Sequence, residues 1–427
     1  MKKVLIIAYY WPPAGGPGVQ RWVKFVKYLR NFGIEPIVYV PENPTYPLVD
    51  TNIGQDLPGD ITVLKKPIKE PYKLASLFFK KKTKSMSAGM VPRHKATFLE
   101  KCLLWVRGNL FIPDARIAWV SPSVHFLKNY MTAHTIDTLI TTGPPHSMHL
   151  IGLQLKELLP ISWIADFRDP WTTIGYHQSL RLGKAAAKKH EYLEQSVLQK
   201  ADAVLVTSYT TQKELQQKTI KPVYVITNGY DTSTAGKVPL SKKFTIAHIG
   251  SLLSGRNPEV LWKVFSEMIM EDPDFSDNFE LQLIGKVSQE VYEKISSYGL
   301  ERYISYEGYV THEQAIHYQR AAQVLLLVEI DSDITKGIIP GKVFEYMVSG
   351  RPILAIGPEG WDVSTIISST NTGRCFKYSD AIALKEYLKY MFLCYKEGNL
   401  AVSAIGLQQY SRKALTSQLA QVIQSLE

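Results

Sequence analysis

Apolar runs of four to eight residues recur along the chain and alternate with stretches whose apolar residues fall at helical spacing. This is the pattern of βαβ units with parallel strands buried on both faces. Val4–Ala8 opens the series, a Pro/Gly loop runs from Trp11 to Gly18, and Val19–Phe32 has helical periodicity ended by Gly33. Ile37–Val40 reads as the second strand, with further strands expected at Thr138–Thr141, Trp163–Ala165, Ala203–Val206 and Val223–Ile226. After residue 240 the pattern restarts. Thr245–Ile249 is followed by a Gly/Ser loop and a helix from Pro258, then by strands at Glu280–Ile284, Tyr303–Glu307, Val324–Val328 and Pro352–Ile356. The pattern predicts an α/β chain of two Rossmann-like, doubly wound domains facing across a cleft. The turn-forming Thr227-Asn228-Gly229 sets the seam, giving an N-terminal domain over 1–228 and a second over 229–409. A last helix, within 410–427, has no strand after it and is expected to pack back on the first domain.

Composition narrows the class. Of 427 residues, 45% are hydrophobic and 21% charged, which fits a globular protein and excludes wholesale disorder. The net charge of +10 is local. Residues 1–240 hold 31 Lys/Arg against 17 Asp/Glu, residues 241–427 hold 18 against 22, and the stretch 65–116 alone holds 13 basic and 3 acidic residues. A uniformly basic nucleic-acid binder is excluded, and the basic stretch carries no nucleic-acid-binding motif. Three widely spaced cysteines suit neither a disulfide framework nor a zinc cluster. The first apolar run is too short for a signal sequence and no run is long enough to span a membrane, so a cytoplasmic location is expected.

In such folds ligands bind at the carboxyl ends of the strands, so chemistry is sought in the loops that follow them. The first loop, Pro12-Pro13-Ala14-Gly15-Gly16-Pro17-Gly18, has glycines that let backbone amides approach an anion, or simply make a tight turn. It lacks the spacing of a dinucleotide fingerprint, which disfavours a dehydrogenase. In the second domain Gly250-Ser251-Leu252-Leu253-Ser254-Gly255-Arg256 gives a small-residue loop ended by a cation. Pro340-Gly341-Lys342-Val343-Phe344-Glu345 then opens a helix with a Lys and, one turn on, a Glu. Arg256 and Lys342 suit a diphosphate and Glu345 two ribose hydroxyls. The alternative is a plain Lys342–Glu345 helical pair, worth about 0.2–0.5 kcal/mol. In the first domain His146 follows one strand, and Asp166-Phe167-Arg168-Asp169 the next. These either hold a substrate or fix their loops through ion pairs.

Taken with the Ala201–Val204 strand start, Thr227–Asp231, Gly250–Arg256, Gly285, Glu307–Val310 and Phe344–Pro352, the order and spacing resemble the GT-B-fold retaining glycosyltransferases of family 4. The resemblance implies transfer of a sugar from a nucleotide-diphosphate sugar to a glycan or lipid-linked acceptor in cell-surface polysaccharide or lipopolysaccharide assembly. It implies no metal and no further cofactor. It places Gly15, Gly16, Gly250, Arg256, Gly285, Tyr309, Val310, Gly341, Lys342 and Glu345 at the donor. His146, Asp166, Arg256 and Lys342 are placed in catalysis, and Arg168 and Asp169 on the acceptor side. The chain departs from the family pattern at Ser251 and Gly337, where relatives carry charged residues. A nucleotide-sugar 2-epimerase of the same fold and a non-catalytic nucleotide-sugar-binding scaffold are the alternatives. Asp331-Ser332-Asp333 has the form of a metal-binding D-x-D but sits in the wrong fold for it, and is read as donor-site rim or plain loop. Lysines beside Phe, Leu and Trp in 65–116 point to an anionic membrane surface, so that the enzyme is peripheral at the inner face of the cell membrane. An ordinary solvated basic loop is the alternative.

Overall fold

The computed structural model describes residues 1–70, 98–178, 180–231 and 238–426, without the side chains of 98–103, 176 and 178. The chain divides into two compact units, Met1–Asn228 with Arg412–Glu427, and Gly229–Ser411.

The first unit holds a parallel sheet of β1 (Lys2–Ile7), β2 (Ile34–Pro41), β3 (Thr62–Lys66), β4 (Thr138–Gly143), β5 (Ser162–Phe167), β6 (Ala203–Val206) and β7 (Val223–Val225), in the order β3-β2-β1-β4-β5-β6-β7. Successive residues of a strand point to opposite faces, and both faces are covered. Leu5 and Ile7 of β1 pack with Trp163 and Ala165 in one core layer. Val4 and Ile6 pack with Trp22, Val26, Leu419 and Ile423 in the other. Helix α1 (Pro17–Leu29) starts at Gly16 with Pro at its first turn, where a missing N–H costs nothing, and buries Trp22, Val23, Val26 and Leu29. The terminal helix Arg412–Gln424 lies against α1 and buries Leu415, Leu419 and Ile423 in the same layer.

The second unit repeats the winding with β8 (Phe244–Ile249), β9 (Phe279–Ile284), β10 (Ile304–Gly308), β11 (Val324–Val328), β12 (Ile353–Ile356) and β13 (Gly373–Phe376), in the order β10-β9-β8-β11-β12-β13. Val324, Leu326 and Val328 enter one layer, Leu325 and Leu327 the other. In both sheets the strand order reverses direction beside the first strand, between β1 and β4 and between β8 and β11. That is where such sheets bind ligands.

Two edge strands, β3 and β13, depart from the sequence expectation. Thr62-Val63-Leu64-Lys65-Lys66 is largely exposed and pairs only with β2, so it shows no apolar run. Lys65 and Lys66 therefore belong to the sheet, not to an insertion. At the other end of the basic stretch Arg116 is buried against Glu70 (3.2 Å) and Tyr9, so it contributes nothing to a basic surface. The central basic residues, Lys73 to Lys95, lie outside the described residues. Beyond them the helix Phe98–Leu110 leaves Trp105 and Leu110 exposed. Among the described residues no helix is long and apolar enough to cross a membrane.

Candidate functional site

In the second unit the chemistry gathers at the carboxyl end of β8. Gly250 and Gly285, which follow β8 and β9, both have positive φ, +117° and +118°. A Cβ on Gly285 would stand 2.5 Å from the Gly250 carbonyl oxygen, so the two strand ends approach as closely as backbones can. The Gly250 amide donates to Ile284 O (2.7 Å) and is thereby spent on the sheet. Arg256 forms a two-pronged pair with Glu329, Nε to Oε1 and Nη2 to Oε2 both at 3.0 Å. Glu329 is fully buried directly after β11 and also accepts from the Ile330 amide, whereas Arg256 keeps 30% of its side chain exposed. Lys342, the first residue of the helix Lys342–Met347, is partly buried. Its Nζ lies 3.1 Å from Nε2 of the buried His248 and donates to Ile249 O at 3.0 Å. Burial, and then the Arg256 guanidinium, pull the Lys342 amine down to about 7.

Glu345, on the same helix, is partly exposed. Its Oε2 accepts from the buried Gln319 amide at 3.0 Å, and Oε1 lies 3.9 Å from His312. The Lys342–Glu345 helical pair is therefore replaced by separate partners for each residue. The helix has only six residues, and the amides of Val343 and Phe344 turn back to Pro340 and Gly341. Positive charge here comes from Arg256 and Lys342, with little from helix amides near Gly341. Val310 packs on the core while Tyr309 is 94% exposed. Asp333 pairs with Lys336 three residues on (2.6 Å).

In the first unit Asp166 corrects the sequence reading. It is not in a loop but is the last residue but one of β5, fully buried. Its Oδ1 accepts from Arg21 (3.1 Å) and its Oδ2 from Trp22 Nε1 (2.9 Å) and Thr142 Oγ1 (2.8 Å). Arg21, equally buried, also donates to the carbonyls of Ile226 (2.7 Å) and Thr227 (2.9 Å). With its oxygens committed, Asp166 is a structural tie between β4, β5, α1 and the end of the unit, and holds no acceptor hydroxyl. Gly15 is corrected likewise: its amide donates to Leu48 O (3.0 Å) and is not left for a phosphate. Gly16 sets the start of α1 with φ +110°.

Arg168 does meet the glycine loop. Its side chain donates to the Gly143 carbonyl (3.2 Å) and to that of Pro144, and a Cβ at Gly18 would fall 1.6 Å from its Nη1. A side chain there would displace the Arg168 guanidinium. Asp169 follows as an exposed residue. His146 is buried, with its ring stacked on Trp171 (centroids 4.7 Å, 6° between planes), and neither ring nitrogen has a protein partner. Burial, reinforced by neighbouring histidines and Arg168, keeps it neutral. Asp114 fixes the start of its helix, Ser147–Leu158, by accepting from the Ser147 amide and hydroxyl, both at 2.9 Å. The place a Gly143 side chain would occupy lies 3.0 Å from His146 Nδ1 and 2.6 Å from His149 Nε2.

Sequence reasoning thus assembled Arg256, Lys342, Gly250 and Gly285 at one strand end, with Glu345 on the helix that carries Lys342. It missed Glu329, Gln319 and His248, and did not bring Gly18 to Arg168 or Thr142 to Asp166. The available signal for Glu329 was an acid placed directly after an unbroken Val324-Leu325-Leu326-Leu327-Val328 run.

Residues 243–392, within the second unit, match the family model of glycosyl transferases group 1. A comparison with curated protein sequences gives no match. Among solved structures, Anabaena Alr3699/HepE in complex with UDP and glucose superposes with a TM-score of 0.59 at 15% identity, covering all of both chains. WaaG, a glycosyltransferase involved in lipopolysaccharide biosynthesis, gives 0.54 at 11% identity over 98% of this chain and 99% of its own. A putative UDP-N-acetylglucosamine 2-epimerase from Listeria monocytogenes gives 0.54 at 11% identity over 100% of this chain and 96% of its own. At these identities the likeness is one of fold. With the group 1 model seated on the unit that carries Arg256, Lys342 and Glu345, and the two-sheet architecture shared along the chain, the protein is a glycosyltransferase of GT-B fold.

Proposed function

We propose that the protein transfers a sugar, with retention of configuration and without a metal ion, from a nucleotide-diphosphate sugar to a glycan hydroxyl in cell-surface polysaccharide or lipopolysaccharide assembly. The observation that carries the donor side is the pair of cations, Arg256 and Lys342, at the carboxyl end of β8, with Glu345 one turn beyond Lys342. In this reading the diphosphate lies against the two cations, the ribose hydroxyls donate to Glu345, and the base meets Gly285 and the backbone of Tyr309 and Val310. As the bond from sugar to phosphate breaks, negative charge grows on the leaving diphosphate, and placed cations stabilise that charge more than the ground state. The departing phosphate takes the acceptor's proton on the face it leaves, so no enzymic nucleophile is required. His146, held neutral, and Arg168 with Asp169 serve the acceptor side. The structures of HepE with UDP and glucose and of WaaG support the choice of a UDP-type donor and a surface-glycan acceptor.

Membrane attachment is part of the proposal. Trp105 and Leu110 stand exposed beside the basic stretch, as expected of a peripheral enzyme on the inner leaflet working on a lipid-linked acceptor. Flotation with anionic vesicles and none with neutral ones is the expected result; equal recovery with both removes the electrostatic part.

The direct test is turnover of nucleotide sugars by the purified protein, in EDTA. Arg256→Ala is expected to lower kcat by about 10²–10³-fold, the usual effect of removing one transition-state donor. Activity restored only by added manganese overturns the metal-free mechanism, and an inverted product anomer overturns retention. Formation of the 2-epimeric nucleotide sugar without a glycoside selects the epimerase reading instead.

A further inference from the structure

His248 is the last residue but one of β8 and is buried. The ammonium of Lys342 has donors and no lone pair, so at 3.1 Å it donates to Nε2, and the imidazole is neutral with its proton on Nδ1. The other partner of Lys342, Ile249 O, is neutral too. The groups that face this amine are few. From the loop after β8 comes Arg256, a second cation. From the end of β11 comes Glu329, whose oxygens are taken by the Arg256 fork and the Ile330 amide. From its own helix comes the Tyr346 phenol, bonded to the Ile249 backbone. Among the described residues no carboxylate forms an ion pair with Lys342.

We propose that His248 is a positioning residue: by holding Lys342 through a neutral acceptor, it leaves the counter-charge to the donor diphosphate and makes donor binding take up a proton from solvent onto Lys342. The inference rests on the donor reading above. A neutral acceptor aims the amine without compensating its charge, whereas an acid at the same place would fix the charge in the empty site. The lowered basicity of Lys342 agrees with this arrangement, as does burial holding His248 neutral. The sign follows. Below about pH 7 the empty site is already charged. Above that, each donor bound must recruit a proton, so affinity falls as pH rises.

The experiment is titration calorimetry of the full chain between pH 6 and pH 9, in buffers of different ionisation enthalpy, with UDP-glucose, GDP-mannose and dTDP-glucose as probes. Nucleotide sugars are chosen because their diphosphate, esterified at both ends, has no group titrating in this range. For whichever probe binds, uptake is expected to rise from near zero at pH 6 toward one proton per donor at pH 8. Affinity is expected to be about three- to tenfold weaker at pH 8 than at pH 6. His248→Gln, which keeps a neutral acceptor, retains the uptake. His248→Asp supplies a carboxylate, and Lys342→Arg a cation that does not titrate, so both abolish it. Should His248→Asp fail to fold, Lys342→Arg carries the test. Binding with no uptake, or uptake unchanged in Lys342→Arg, overturns this inference and leaves the donor reading standing. Binding of none of the probes overturns both.

Discussion

Arg21–Asp166 in the first unit and Arg256–Glu329 in the second are both arginine–carboxylate pairs near the carboxyl ends of their sheets, and they differ in a way that separates scaffold from site. Arg21 and Asp166 are both fully buried, and every bond they form that is described here goes to the protein's own α1, β4 or the Ile226-Thr227 backbone. Arg256 and Glu329 are asymmetric: the acid is sealed under the sheet end and the arginine side chain is 30% exposed. A buried acid that orients an exposed cation prepares that cation for an anion from solution, at a fixed place and angle. A sealed pair can only tie the chain to itself. The same two residue types thus hold the fold together in one unit and are left open for chemistry in the other.

The largest effect that tests this contrast is on stability. Asp166→Ala leaves Arg21 buried without its partner, and removing one member of a buried pair costs about 3–5 kcal/mol. Urea denaturation should show that loss, with Trp22 and Thr142 unsatisfied as well. Near-wild-type stability combined with loss of acceptor binding would instead make Asp166 a substrate ligand and dissolve the contrast.

The strands of both sheets were legible in the sequence because parallel strands covered on both faces read as unbroken apolar runs. Two of the four edge strands, Thr62–Lys66 and Gly373–Phe376, were not: Thr62–Lys66 is largely exposed and shows no apolar run. The same physics explains the site. Arg256, Lys342 and Glu345 could be found because loops after strands are where chemistry sits, and Lys342 and Glu345 fall one turn apart on one short helix. Asp166 was misread because β5 runs two residues past its apolar stretch, and a carboxylate inside a strand end looks in sequence like one in a loop. Its partners Arg21 and Thr142 lie 145 and 24 residues away, as Glu329 lies 73 from Arg256. No local pattern reveals such pairings.

A second difference between the units is in their histidines. His146, His149, His177 and His190 cluster around Trp171 and Phe167 in the first unit, against His248 in the second. Burial holds all of them below their ordinary value, His149 to about 3 and His177 to about 4. Unfolded, each takes a proton below about pH 6.5, so the unfolded state binds more protons there and stability falls as pH falls. For a fully buried histidine the loss is about 2 kcal/mol by pH 5. Hydrogen exchange at pH 5 should therefore show the first unit losing protection before the second. Equal loss in both would mean that the cluster takes up protons without cost.

The smallest effect probes how the open site is held. Gln319 is buried on the helix His312–Ala321 and donates to Glu345 at 3.0 Å, which fixes the carboxylate while leaving it partly exposed. Gln319→Leu keeps the bulk and removes the donor, at a cost of about 1 kcal/mol in the placement of Glu345, or about fivefold in affinity. Since Glu345 is assigned to the ribose, far from the bond that breaks, the loss should fall on KM for the donor and leave kcat unchanged. Gln319→Glu places a second carboxylate against the first and should raise KM further. A fall in kcat at constant KM would place Glu345 at the reacting sugar instead. Its exposed edge would then act in the transition state, as the open guanidinium of Arg256 does.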